Sequence, residues 1–83
     1  MSWFIYIVRC KDRSLYTGIT TDVDRRVKEH NTSKRGARYT RSRRPVKLVW
    51  KSVPCKRSTA AKFERRIKNL PKVVKEELVL IKI

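Results

Sequence analysis

Acidic side chains are scarce in this chain. Seven Asp and Glu stand against 23 Lys and Arg, a formal net charge of +16. Such a field draws polyanions, nucleic acid first, although a small architectural protein of ribosomal or chromatin type carries the same balance. Cysteine is scarce too. Cys10 and Cys55 form no Cys-x-x-Cys pair, and two cysteines with a single histidine make a poor zinc site. They read as free thiols in a reducing, cytoplasmic setting. No apolar stretch approaches the ~20 residues a membrane helix needs. The helical segments carry charge on too many faces to anchor at a membrane surface. Met1-Ser2-Trp3 leads straight into an aromatic run, so no secretory leader is expected. Repeats and low-complexity linkers are absent. The 83 residues suit one domain, 1–83, and the 40% hydrophobic fraction suits a small core.

Residues 3–10 (WFIYIVRC) are β-branched and aromatic and predict a strand. Alternation puts Trp3, Ile5 and Ile7 on one face and Phe4, Tyr6, Val8 and Cys10 on the other. Both faces are apolar, so the strand is expected to be central or covered on both sides. Lys11-Asp12-Arg13 reads as a hairpin turn, and Ser14 to Thr20 as the antiparallel partner. Gly18 within it signals a bulge or a close backbone approach. Thr21 or Asp22 can cap a following helix, where Val23, Val27 and His30 keep helical spacing, and Asn31-Thr32-Ser33 ends it. Lys34 to Lys47 holds seven Lys or Arg and no acidic residue, with Gly36 and Pro45 as punctuation, and reads as a basic loop or strap. Val46 to Val53 alternates as a third strand, which Pro54 stops. Ser58-Thr59 suits the cap of a second helix reaching about Leu70, with Phe63, Ile67 and Leu70 as its apolar stripe. Val73 to Ile83 fits either a short helix with a strand-like tail or one helix. The order is β-β-α-β-α plus that tail. This is an α/β fold with a small three-stranded antiparallel or mixed sheet flanked by helices.

Five side chains in this frame suit phosphodiester chemistry. Arg26 and His30 stand four apart, one helical turn above one another. A guanidinium can grip two phosphate oxygens and neutralise the charge growing in the transition state. His30 can orient water, donate a proton or contact phosphate. If the hairpin pairs positions summing to about 24, Tyr6 and Tyr16 lie offset on one sheet face. A phenol titrates near ~10, so a base role needs a nearby cation, and Arg26 is the candidate. Glu64 is the sole acidic residue between Glu29 and Glu76. It can hold Mg²⁺ or Mn²⁺ completed by water and phosphate oxygens. In the strap, Lys34, Arg35, Arg38, Arg41, Arg43 and Arg44 suit phosphate contacts, and Tyr39 suits stacking on a base or sugar. No recognition helix with base-reading side chains stands out, so shape rather than strict sequence selectivity is expected. Taken singly, each group also fits a plain role: a helix surface, a packed sheet, an i,i+4 pair of Glu64 with Lys68, a solvated loop. The whole inventory also fits a nucleic-acid binder without catalysis.

Taken together, the residues resemble the GIY-YIG nuclease family, in particular its small stand-alone bacterial members. Phe4-Ile5-Tyr6 matches the first half of the motif and Tyr16-Thr17-Gly18 the second. Arg26 matches the family's arginine, His30 the histidine or tyrosine a turn later, and Glu64 the metal-binding glutamate. The likeness covers about residues 3–70. Gly36-Ala37-Arg38-Tyr39-Thr40 and Arg43-Arg44-Pro45 also resemble the catalytic subunit of a eukaryotic structure-selective junction nuclease. Phe4 stands where the motif has glycine, and Thr17 where it has isoleucine. The asparagine that many members carry well after the glutamate has no counterpart, since Asn69 follows Glu64 by five residues. The resemblance implies DNA cleavage in repair or recombination, with one Mg²⁺ or Mn²⁺ on Glu64. It further implies Arg26 stabilising the phosphorane-like charge, Tyr6 as the base, and Tyr16 positioning water or phosphate. Many of these nucleases gain affinity from an added DNA-binding domain, so a protein partner supplying DNA affinity is also expected.

Overall fold

The computed structural model describes residues 1–81. Its elements run β1 (Phe4–Arg9), β2 (Leu15–Thr20), α1 (Val23–Thr32), α2 (Arg38–Arg41), β3 (Lys47–Lys51), α3 (Arg57–Lys68) and α4 (Lys72–Leu80). The sheet is antiparallel throughout, in the order β2-β1-β3. The hairpin turn closes where expected. Asp12 Oδ1 accepts from the Ser14 amide at 3.0 Å, and Arg13 takes the left-handed conformation, φ 70°. That turn fixes the register, and Phe4 pairs with Thr20, Tyr6 with Gly18, and Val8 with Tyr16.

β1 is the central strand, and Ile5, Tyr6, Ile7 and Val8 along it are all buried. On one face Tyr6, Val8 and Cys10 pack with Val23 and Val46, flanked by Phe4, Tyr16, Val27 and Leu48. On the other, Ile5 and Ile7 pack with Ala60 and Ile67, flanked by residues that include Trp3, Ile19, Trp50, Leu78 and Val79. This is the face division that alternation predicts. Each fully buried aliphatic side chain here contributes about 1.5–3 kcal/mol.

Three local features differ from the sequence expectation. The strap is not wholly a loop, since it winds into the single turn α2, which packs against α1. Thr40 drives this. It is fully buried, and its hydroxyl oxygen lies 2.9 Å from both the Ala37 carbonyl and His30 Nδ1. β3 is shorter than 46–53, and the bulge lies there rather than at Gly18, because the pairing with β1 shifts between Ile7 and Val8. α3 begins at Arg57 with Lys56 as its cap, ahead of Ser58-Thr59. Paired backbone bonds between Trp3 and Cys55, 2.8 and 2.9 Å, pin the chain there and leave Ser58 and Thr59 inside the first turn. The tail forms α4 to Leu80, held to β1 by a two-pronged Arg9–Glu76 pair at 2.9 and 2.6 Å. The end of the anticipated tail, residues 82–83, lies outside the described residues. Both cysteines are free, Cys10 buried and Cys55 half-buried. Among the described residues no helix is long and apolar enough to cross a membrane.

Candidate active site

Tyr6 lies at the middle of the central strand, its side chain on the face that α1 covers. Its ring passes directly over Gly18 on the neighbouring strand. A Cβ at Gly18 would sit 2.6 Å from Tyr6 Cζ, so this is the close approach that the glycine signals. Gly18→Ala is therefore expected to cost about 1–3 kcal/mol through overpacking, because the buried ring has nowhere to swing. Urea unfolding would show it as a lowered midpoint, and an unchanged midpoint would contradict this packing.

α1 brings His30 to the same point. Asp22 caps this helix, its side chain accepting from the Arg25 amide at 3.1 Å. The apolar stripe of Val23 and Val27 turns His30 into the interior, where it is completely buried. His30 Nε2 lies 2.6 Å from Tyr6 Oη. Its Nδ1 lies 2.9 Å from Thr40 Oγ1 and accepts from the Ala37 amide at 3.3 Å. Burial pushes the imidazole pKa down to about 4, helped by the nearby Arg26 and Arg44 charges and opposed by Glu29. The unfolded chain therefore binds this proton below about 6.5, whereas the native protein binds it only below about 4. The resulting stability is full above 6.5 and is lost as pH falls through that window. The protein is expected to be roughly 1.4 kcal/mol less stable at pH 5.5 than at 7.5, where carboxylates stay ionised. Equal urea midpoints at the two values would refute the buried neutral histidine.

Arg26 flanks the pair. Its Nη1 donates to Glu29 Oε1 at 3.1 Å and to the Arg35 carbonyl at 2.8 Å. Its charge also favours the Tyr6 phenolate and pulls that pKa down. Burial wins nonetheless and raises Tyr6 to about 12, with smaller upward pushes from Tyr16 and Glu64. Tyr16 stands edge-on to His30, ring centres 5.4 Å apart, and stacks on Tyr39 at 5.8 Å. Glu64 sits half-buried on α3, its charge reaching Tyr6, with Lys68 Nζ 3.5 Å away on the same helix. Lys68 in turn lies over the Tyr16 ring at 5.7 Å. Tyr6, Tyr16 and His30 thus meet in direct contact, and the charges of Arg26 on α1 and Glu64 on α3 reach the Tyr6 oxygen.

The charges of Arg26 and Glu64 both reach the Tyr6 phenol. The model of the GIY-YIG catalytic domain matches residues 2–76. The chain belongs to the GIY-YIG family. This is a nuclease family, which implies a nucleic-acid substrate. A UPF0213 protein of Desulfotalea psychrophila is 56% identical over 78 residues, covering 94% of this chain and 71% of that one. A UPF0213 protein of Halalkalibacterium halodurans is 46% identical over 82 residues, covering 99% and 86%. The solution NMR structure of a UPF0213 protein from Bacillus halodurans aligns with TM-score 0.61 at 47% identity, covering 95% of this chain and 83% of that one. The small α/β fold with its antiparallel sheet is that of the GIY-YIG family.

The GIY-YIG strap divides into two kinds of cation. Lys34, Arg35, Arg38 and Arg41 are exposed along it. Arg43 and Arg44 are half-buried and already engaged. Arg43 bonds Asp12 Oδ2 at 2.9 Å and the Tyr39 carbonyl at 2.8 Å, and lies 3.9 Å above the Tyr39 ring. Arg44 donates to the carbonyls of His30, Glu29 and Ser33, closing the C-terminal end of α1. Thr40, the Ala37 amide, Asn31 and Arg44 escaped the sequence reading as supports of the site. Asn31 clamps Val46 through bonds of 3.0 and 2.7 Å. Only Ala37 and Thr40 lie inside the Gly36–Thr40 segment, and both are surrounded by cations there.

Proposed function

We propose that the chain is a metal-dependent endonuclease domain that hydrolyses DNA phosphodiester bonds, selecting substrates by shape, in repair or recombination. The observation that carries this reading is the 2.6 Å contact of His30 with the Tyr6 oxygen, with the Arg26 guanidinium and the Glu64 carboxylate within electrostatic reach. Tyr6, as phenolate, takes the proton of the attacking water while the new P–O bond forms and the bond to the leaving oxygen breaks. Arg26, half-buried and close enough for its charge to act on Tyr6, offsets the charge gathering on the phosphoryl oxygens. Tyr16 positions the water or the phosphate. The exposed Lys34, Arg35, Arg38 and Arg41 seat the DNA backbone, and Tyr39 offers a ring for stacking.

Glu64 suits a hard divalent ion. It is a single half-buried oxygen donor without a strong competing partner, since Lys68 stands back at 3.5 Å. Among the described residues it belongs to no cluster of three or more His, Cys, Asp or Glu side chains. Mg²⁺ fits such a donor because it keeps several waters and takes one or two carboxylates plus substrate phosphates. Held there, Mg²⁺ or Mn²⁺ would supply charge neutralisation at the scissile phosphate and its leaving oxygen.

A second reading, a nucleic-acid-binding module without catalysis or a subunit awaiting a protein partner, draws on one observation. Tyr6 is only 1% exposed, and burial favours its neutral form. Branched, single-stranded and duplex DNA incubated with Mg²⁺, Mn²⁺ or EDTA separate the two. Metal-dependent products, fastest from a branched substrate, are expected. Binding that falls steeply with salt and yields no product across the panel would favour the binding module.

A further inference from the structure

The immediate surroundings of His30 decide which of its nitrogens carries the proton. Nδ1 faces two groups, the Ala37 amide at 3.3 Å and Thr40 Oγ1 at 2.9 Å. A backbone N–H can only donate, so the Ala37 contact is satisfied only when Nδ1 is bare. The Thr40 hydroxyl can turn either way, toward Nδ1 or toward the Ala37 carbonyl at 2.9 Å. That carbonyl already accepts the amides of Thr40 and Arg41, each at 3.1 Å. The hydroxyl proton is thus free to serve Nδ1, whose lone pair it shares with the more distant Ala37 amide. Placing the proton on Nδ1 would set it against the Ala37 N–H and leave that amide without a partner.

We propose that Ala37 and Thr40 lock His30 as the Nε2–H tautomer, which makes His30 a fixed donor to the Tyr6 phenolic oxygen and Thr40 a positioning residue of the site. His30 then does not take the Tyr6 proton. The phenolic oxygen accepts from His30 Nε2 at 2.6 Å, and the nearby Arg26 charge favours its phenolate form. The phenol's own hydrogen is left to point away from His30. The strap is thereby part of the catalytic apparatus as well as a cover for DNA: its backbone sets the direction of one hydrogen bond inside the core. The mechanistic use of this arrangement rests on the nuclease reading, whereas the tautomer itself does not.

His30 is the one histidine in the chain, so its ring spectrum is unambiguous. Two-bond ¹H–¹⁵N correlation spectra of ¹⁵N-histidine-labelled protein at pH 7 are expected to show Nε2 protonated and Nδ1 bare. A protonated Nδ1 would overturn the proposal. A titration of the tyrosine ¹³Cζ signals gives a second readout of opposite sign for the two tautomers. Removing a donor in His30→Phe should raise the Tyr6 pKa, and a fall would mean that His30 had been accepting the phenol proton. Thr40→Val is expected to move the Nδ1 resonance toward that of a nitrogen with fewer hydrogen bonds. It should also slow DNA cleavage about tenfold in kcat with KM unchanged, the scale of one hydrogen bond. Thr40→Ser should restore both. An Nδ1 resonance indifferent to Thr40→Val would refute the role given to Thr40. The Nε2–H spectrum in a protein that cuts no DNA would support the tautomer and count against the nuclease reading alone.

Discussion

Glu64→Ala is expected to remove metal-dependent DNA cutting, a loss of about 10³-fold or more, while binding to the same DNA changes less than twofold. The two effects separate because the residue stands apart from the exposed cations. Glu64 is the acidic residue whose charge reaches Tyr6 from α3, and no cluster of metal-ligating side chains among the described residues can take its place. Removing it deletes the protein's one proposed anchor for the ion, whose stabilisation of developing charge amounts to several kcal/mol. Affinity, in contrast, is set by phosphate contacts of Lys34, Arg35, Arg38 and Arg41, which the substitution leaves in place. Stability should change little, since the half-buried carboxylate makes one loose i,i+4 contact of about 0.3–0.5 kcal/mol with Lys68. Filter-binding and single-turnover cleavage on one protein preparation measure both quantities. Retained Mg²⁺-dependent cutting would remove Glu64 from the site.

Tyr6→Phe should reduce cleavage about 10²- to 10⁴-fold, the range of a lost general base. The same assignment fixes the pH dependence. With burial holding the Tyr6 pKa at about 12, the phenolate is a small fraction at neutrality. It grows tenfold for each unit of pH below that value, so the cleavage rate should climb steadily from pH 7 to 9 in the wild type. Tyr6→Phe should remove the Tyr6-dependent part of that rise. The substitution also deletes the oxygen that meets His30 Nε2, leaving a buried N–H unpaired at a cost of about 1–3 kcal/mol. Activity is therefore to be compared at a temperature where urea titration shows both proteins folded. Tyr16→Phe serves as the contrast. Tyr16 contacts its neighbours through its ring, against His30 and Tyr39. A larger loss in Tyr16→Phe than in Tyr6→Phe would exchange the roles of the two phenols.

The parts of this site that were legible in the sequence are those set by local periodicity. A tight turn at Lys11–Arg13 fixes which residues face each other across the hairpin, so the offset pairing of Tyr6 and Tyr16 follows from counting. The stripe Val23, Val27, His30 points the histidine inward by the same logic, and the burial of His30 bears this out. What counting misses is contact made across the chain. Thr40 lies in a run of cations that reads as solvated, and α2 is a single turn, too short to show a helical period. Its burial depends on His30, ten residues away, offering a nitrogen to its hydroxyl. Arg44 and Arg43 look identical to their exposed neighbours in the sequence. Only the unpaired carbonyls at the end of α1 and the Asp12 carboxylate distinguish them. The Ala37 amide cannot be read from a side-chain pattern at all, because the group in question is backbone.

The central claim is that the basic face and the Tyr6 cluster together perform metal-dependent hydrolysis. Single-turnover cleavage of a labelled branched DNA by the wild-type protein, followed while EDTA removes Mg²⁺ and added Mg²⁺ restores it, tests that claim most directly. The account predicts products that appear with Mg²⁺, stop with EDTA and resume on restoration. Products that persist in EDTA, or bound DNA that stays intact at every Mg²⁺ concentration, would contradict it.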